Sequence, residues 1–168
     1  PAIRLSFCGI SRGVQEQAHD LGISDWLCDH GALSQSRSQE ISREADVLLV
    51  VVRADLVTSK GIVPAKLYEA LALGKPILAL VPDPSDVRDV LLEDLESACV
   101  DPRSETSILD ALNQLAVKKR DGTYGYSSSH AVTRSALAAR YSRRLLCSEL
   151  LRMIGFSIPE PSTPSLDA

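Results

Sequence analysis

The chain has 168 residues, 45% of them apolar, 24% charged and 4% aromatic, a composition that supports one globular domain with a proper core. The net charge of −4 does not favour nucleic acid as a partner. No apolar run approaches the ~18 residues of a membrane span, and Pro1–Leu5 lacks the basic and hydrophobic regions of a signal peptide. The first residue is not Met, so the chain is expected to be processed or cut from a longer protein.

Short apolar runs alternate with helical stretches. Ile3–Cys8 reads as a first strand, Arg12–Leu21 as a helix ended by Gly22, and Trp26–His30 as a second strand running into Gly31. Ser34–Ala45 reads as a polar helix. Val47–Val52 is six apolar residues in a row, as expected of a strand buried on both faces. After a loop from Arg53 to Val63, Pro64 opens a helix that Gly74 stops. Pro76–Val81 is a further buried strand, Asp86–Leu92 a short helix, Ala98–Val100 a last strand and Thr106–Val117 a helix. Asp121–Ser129 is a polar loop. Ala131–Ile154 is the longest helical stretch, with a break predicted near Tyr141. Three prolines make 155–168 an irregular tail. The chain thus divides into a domain over 1–154 and that tail.

Five buried runs alternating with helices predict an α/β domain. Its sheet would be mainly parallel, of five to six strands, with helices on both faces. Ligands of such sheets bind beyond the carboxyl ends of the strands.

Charge is segregated. Residues 1–117 carry 10 Lys and Arg against 18 Asp and Glu, whereas 118–152 carry 8 against 2. The four cysteines have no paired spacing, which predicts reduced thiols in the cytoplasm. His19, His30 and His130 are scattered, and no metal site is expected. His30 on its own reads as a structural histidine with its hydrogen bonds satisfied.

The segment Gly61–Pro76 is the most informative. Val63 has no side-chain oxygen to cap the helix behind it, so the amides of Ala65 and Lys66 lack a local acceptor. Such a helix start is a natural anion site. Lys66 sits in the first turn, where the helix dipole disfavours a cation and a bound phosphate would resolve the conflict. Glu69, three residues on, is placed to accept from vicinal hydroxyls such as those of a ribose. The competing reading is an i,i+3 Lys66–Glu69 ion pair on a solvated face. Gly9 and Gly13 form no G-x-G-x-x-G fingerprint and read as turn glycines, Gly31 reads as a turn glycine or as room for a backbone to approach a base edge, and Arg12 reads as a cation at a helix start.

Ala45-Asp46-Val47-Leu48-Leu49 followed by Pro64-Ala65-Lys66-Leu67-Tyr68-Glu69-Ala70-Leu71-Ala72-Leu73-Gly74-Lys75-Pro76-Ile77-Leu78 resembles the C-terminal, donor-binding domain of a GT-B glycosyltransferase. The group resembled is the retaining, nucleotide-sugar-dependent one, group 1 type. The resemblance covers residues 1 to about 117, and Tyr141-Ser142-Arg143 resembles the family's ending. It implies a Rossmann-like three-layer sandwich, one half of a GT-B fold, in which Glu69 holds the ribose hydroxyls and Lys66 and the Ala65 and Lys66 amides meet the diphosphate. Gly61, Ile62, Val63 and Pro64 would lie near the transferred sugar, and Gly9, Arg12 and Gly31 would complete the donor site. Many members have Glu-x7-Glu in this stretch, whereas Gly61 occupies the first of those positions here. No metal or resident cofactor is implied, and the nucleotide-diphosphate sugar is a substrate. The acceptor site and any catalytic base would belong to a missing N-terminal domain, the expected partner. Peripheral membrane contact would come through the full-length enzyme in the cytoplasm.

Two alternatives stand beside this reading: half of a sugar-nucleotide epimerase of the same fold, and a non-enzymatic flavodoxin-like binding or signalling module. A receiver-type module would want acids after the first strand, where Gly9-Ile10-Ser11-Arg12 stands. In the C-terminal region Arg134, Arg140, Arg143 and Arg144 alternate with Val132, Leu137, Tyr141, Leu145, Leu146 and Leu150. That pattern fits a solvated basic face, a surface helix meeting anionic lipid, or a helix docking a partner domain, and the resemblance implies a helix that packs back toward the missing N-terminal half.

Overall fold

A computed structural model describes residues 3–9, 13–52, 60–92, 94, 96–123 and 136–156. Arg12, most of the 53–63 loop, the end of the 121–129 loop, the first residues of the 131–154 helix and the tail from 157 lie outside the described residues.

Elements alternate along the chain: β1 (Leu5–Phe7), α1 (Val14–Asp20), β2 (Leu27–Asp29), α2 (Gln35–Glu44), β3 (Leu48–Val51) and α3 (Ala65–Ala72). They continue with β4 (Ile77–Leu80), α4 (Asp86–Leu91), β5 (Ala98–Val100), α5 (Glu105–Arg120) and α6 (Arg143–Met153). Every strand falls within a run read from sequence. The break in the last helical stretch is also found. Residues 136–140 form a helical turn, and Ser142 then caps α6 by accepting from the Leu145 amide.

Among the described residues all strand pairs are parallel. They form two ladders, β2–β1 and β3–β4–β5. Register in the larger ladder sets Leu48 opposite Ile77 and Leu78 opposite Ala98. Side chains alternate across a strand, so β4 feeds two core layers. Ile77 and Ala79 join Val50, Leu67, Val87 and Leu91 on the face covered by α3 and α4. Leu78 joins Ala111 and Leu115 of α5 on the other. Leu137 enters the first layer at 3% exposure, although it follows α5 in sequence.

The expectation of burial on both faces fails for β3. Val50 and Val52 are buried, but Leu49 is 45% and Val51 55% exposed. These two point to the face where α5 packs on β5, and α5 covers that face only as far as Val47 and Leu80. A strand at the edge of its ladder depends on the reach of the neighbouring helix for its second cover.

Local chemistry fixes several helix starts. Ser34, Ser85 and Ser104 each accept an amide of the first turn behind them. Helix α3 is different: its N-cap is Pro64, which offers no side-chain oxygen. Pro64 was expected as the first helical residue. Its ψ of 137° is extended, and its carbonyl accepts from the Leu67 amide at 2.9 Å, so the helix begins one residue later.

Among the described residues no helix is long and apolar enough to cross a membrane.

Candidate functional site

In parallel ladders the turns after the strands gather at the carboxyl edge. Gly9 follows β1 and Gly31 follows β2, and the two are brought together directly. The Gly9 amide donates to the Gly31 carbonyl at 2.8 Å, one step beyond the His30 amide to Phe7 carbonyl bond of 2.9 Å. Asp29 organises this corner: one carboxylate oxygen accepts from the Gly31 amide at 2.9 Å and the other from Gln15 Nε2 at 3.2 Å. Gly31 has φ +63° and Gly9 φ +148°, values that side chains resist.

His30 lies in the same corner, and the expectation that its hydrogen bonds are satisfied is not met. Its Nε2 is buried and has no hydrogen-bond partner among the described residues. The backbone of His30 is tied to β1, while that ring nitrogen pairs with none of the described residues.

The second cluster follows β3. Gly61 begins it, with its amide donating to Asp86 Oδ2 at 2.7 Å. Lys60 pairs with Asp86 at 3.1 Å and with Asp89 at 2.5 Å. The turn before α3 is therefore clamped to the first turns of α4, where acids suit the helix dipole. The Gly61 amide, then Lys60, holds the Asp86 carboxyl below its ordinary range, and Asp89, then Asp86, pushes the Lys60 ammonium up. This clamp was not read from sequence, although acids at positions 86 and 89 behind a serine cap are a readable signal.

From Gly61 the chain passes through Ile62, exposed, and Val63, which packs against the core, to Pro64. Helix α3 buries Leu67, Ala70 and Leu71. That burial rolls Ala65, Lys66 and Glu69 outward, all three exposed. Among the described residues no acceptor meets the Ala65 and Lys66 amides, and neither the Lys66 nor the Glu69 side chain makes a hydrogen bond or ion pair. The competing Lys66–Glu69 pair is thus not formed. A cation, two open amides and a carboxylate stand together on one helix start.

Behind this face, Tyr68 packs on Tyr141 with ring centroids 5.4 Å apart and planes at 40°, and Arg140 lies 5.8 Å from the Tyr141 ring centre. Burial, with Tyr141 adding to it, raises the Tyr68 hydroxyl above its ordinary value. The segment after α5 is in this way fastened to the helix that carries Lys66 and Glu69.

The structure thus forms two groups at the carboxyl edges: Gly9 with Gly31, and Gly61 through Glu69. Among the described residues no three His, Cys, Asp or Glu side chains are grouped to hold a metal ion. All four cysteines are free thiols.

No protein-family profile and no curated protein matches the chain. Solved structures do. The Anabaena protein HepE in complex with UDP superposes with a TM-score of 0.67 at 10% identity, over 92% of this chain and 41% of that one. Sucrose-phosphate synthase from Thermosynechococcus elongatus gives 0.66 at 14% identity, over 90% and 38%. The apo lipopolysaccharide outer core galactosyltransferase WaaB gives 0.62 at 19% identity, over 90% and 40%. The chain spans about two fifths of the length of each. At these identities the likeness is one of fold, and the fold is the Rossmann-like half-domain of GT-B architecture.

Proposed function

We propose that the chain is the donor-binding domain of a glycosyltransferase. The reaction would move a sugar from a nucleotide-diphosphate sugar to an acceptor hydroxyl, in glycan or polysaccharide biosynthesis. The observation that carries the reading is the start of α3, where the open Ala65 and Lys66 amides and the Lys66 and Glu69 side chains, unpaired among the described residues, share one exposed face. The fold supports it, since structures of the same fold hold UDP and UDP-glucose.

The roles follow from the chemistry of each group. In the transfer, the bond from the anomeric carbon to the diphosphate oxygen breaks and a bond to the acceptor oxygen forms. The bond electrons leave with the diphosphate, and the acceptor loses its proton. Lys66 and the two amides, aided by the helix dipole, meet the charge that grows on the departing diphosphate, without a metal. Glu69 accepts from the ribose hydroxyls and fixes the nucleotide along the sheet edge. The clamped turn Gly61–Pro64 faces the sugar, and Gly9 and Gly31 let the backbone approach the nucleotide. The acceptor and any general base belong to a second domain, so the isolated chain is expected to bind a nucleotide without turnover.

Calorimetric titration of the chain with UDP, GDP and TDP and their sugars tests this. The expected result is binding of one nucleotide series, weakened by Glu69→Ala and by Lys66→Ala. No binding by the wild type, or unchanged binding by both variants, would remove the site assignment.

A further inference from the structure

The turn Gly61–Pro64 brings no hydroxyl, amide or ionisable side chain of its own. Gly61 has no side chain, Ile62 is apolar and exposed, Val63 packs against the core, and Pro64 carries no N–H. What the turn can offer a ligand is backbone. Among the described residues the Ile62 and Val63 amides have no acceptor. A Cβ at Gly61 would meet no atom within 4 Å, so the space beside the turn is open.

A side chain can swing onto a ligand by changing rotamer, whereas a backbone group points where its turn is held. This turn is held by α4. The Gly61 amide donates to Asp86 Oδ2 at 2.7 Å, and the Lys60 ammonium lies 3.1 Å from Asp86 and 2.5 Å from Asp89. Both contacts to Asp86 are charge-assisted, the stronger kind of hydrogen bond. Helix α4 is a fixed post: Val87 is fully buried, Val90 and Leu91 nearly so, and the buried Ser85 hydroxyl caps its start.

A nucleotide-diphosphate sugar runs from ribose through diphosphate to sugar. The site runs in the same order from Glu69 through the Ala65 and Lys66 amides to Gly61–Pro64. With ribose on Glu69 and diphosphate on the amides, the sugar falls against the turn. We propose that Asp86 and Lys60 are positioning residues for the sugar of the donor. They touch no ligand; they hold the backbone groups of Ile62 and Val63 where the sugar hydroxyls meet them. The proposal rests on the nucleotide-sugar reading and deepens it: α3 holds the nucleotide, and α4 aims the turn that holds the sugar.

The test is calorimetric titration of wild type, Asp86→Ala, Lys60→Met and the double variant. The ligands are UDP and UDP-glucose, GDP and GDP-mannose, and TDP and TDP-glucose. In the pair that wild type binds, each single substitution should raise Kd for the nucleotide-sugar roughly tenfold and change Kd for the nucleoside diphosphate less than about twofold. The double variant should bind no more weakly than the weaker single one, because both break one clamp. Lys60 lies outside any helix, so Lys60→Met carries the test should Asp86→Ala disturb α4, and circular dichroism checks both. Nucleotide-sugar binding unchanged by the variants, or nucleotide and nucleotide-sugar weakened alike, overturns the proposal while the nucleotide reading stands. Wild type that binds no nucleotide overturns that reading, and the proposal with it.

Discussion

Replacing Glu69 with Ala is the sharpest perturbation of the proposed site. The side chain is exposed and makes no hydrogen bond or ion pair among the described residues, while α3 is held by Leu67, Ala70 and Leu71. Folding stability should therefore stay within about 0.5 kcal/mol of wild type. Binding should not. Two ribose hydroxyls donating to an exposed carboxylate contribute about 1 kcal/mol each, so the substitution should cost about 2 kcal/mol. That corresponds to a roughly 30-fold rise in Kd for the bound nucleotide. Calorimetry with UDP and with 2′-deoxy-UDP separates this contact from general damage. Wild type should lose about 1 kcal/mol on going from UDP to the deoxy ligand, and Glu69→Ala should lose nothing on the same change, because the carboxylate acceptor of that hydroxyl is already gone. Glu69→Gln, which keeps one acceptor, should fall between. Equal penalties on both ligands would refute the ribose assignment, as would a variant that binds as tightly as wild type.

Other outcomes follow from the same geometry. Lys66→Ala should weaken diphosphate binding about tenfold yet slightly raise the Tm of the free chain, since the cation opposes the dipole at the start of α3; a lowered Tm would contradict this. Leu67→Ala, at a fully buried position, should cost about 2–5 kcal/mol in urea unfolding. Arg103 holds the Asp101 carboxyl at about 2, below its ordinary 3.8, so the folded form binds that proton more weakly than the unfolded one. This contribution is fully present above the ordinary value and is lost as pH falls from about 4 toward 2. Asp101→Asn should flatten that acid limb of the urea midpoint. Asp86→Asn should release the Lys60–Gly61 turn, seen as faster amide exchange at Gly61 with the core amides unchanged.

Much of the frame was legible because apolar runs and stop signals are local. The Val47–Val52 and Pro76–Val81 runs announced β3 and β4, and the lack of a capping oxygen before Ala65 announced the open start of α3. Features that depend on where distant segments land were not legible. The exposure of Leu49 and Val51 depends on how far α5 reaches across the ladder. The clamp joins Gly61 to Asp86, 25 residues away in sequence; the acids behind the Ser85 cap can be read from the chain, but not the turn that they meet. The orphaned Nε2 of His30 is equally invisible, since a sequence shows that a ring is present but not what surrounds it. The i,i+3 spacing of Lys66 and Glu69 permits an ion pair, and the side chains decline it.

The position of Leu137 bears on how the chain reaches its native state. It fills the same cluster as Val50, Ile77 and Val87, so its partners lie tens of residues earlier. A chain ending at residue 123 would contain all five strands and five helices and still lack a side chain of the first core layer. Counting strands therefore understates the smallest piece able to fold. During synthesis that layer stays open until the segment after α5 has left the ribosome, which lengthens the time its apolar surface is exposed to chaperones and proteases.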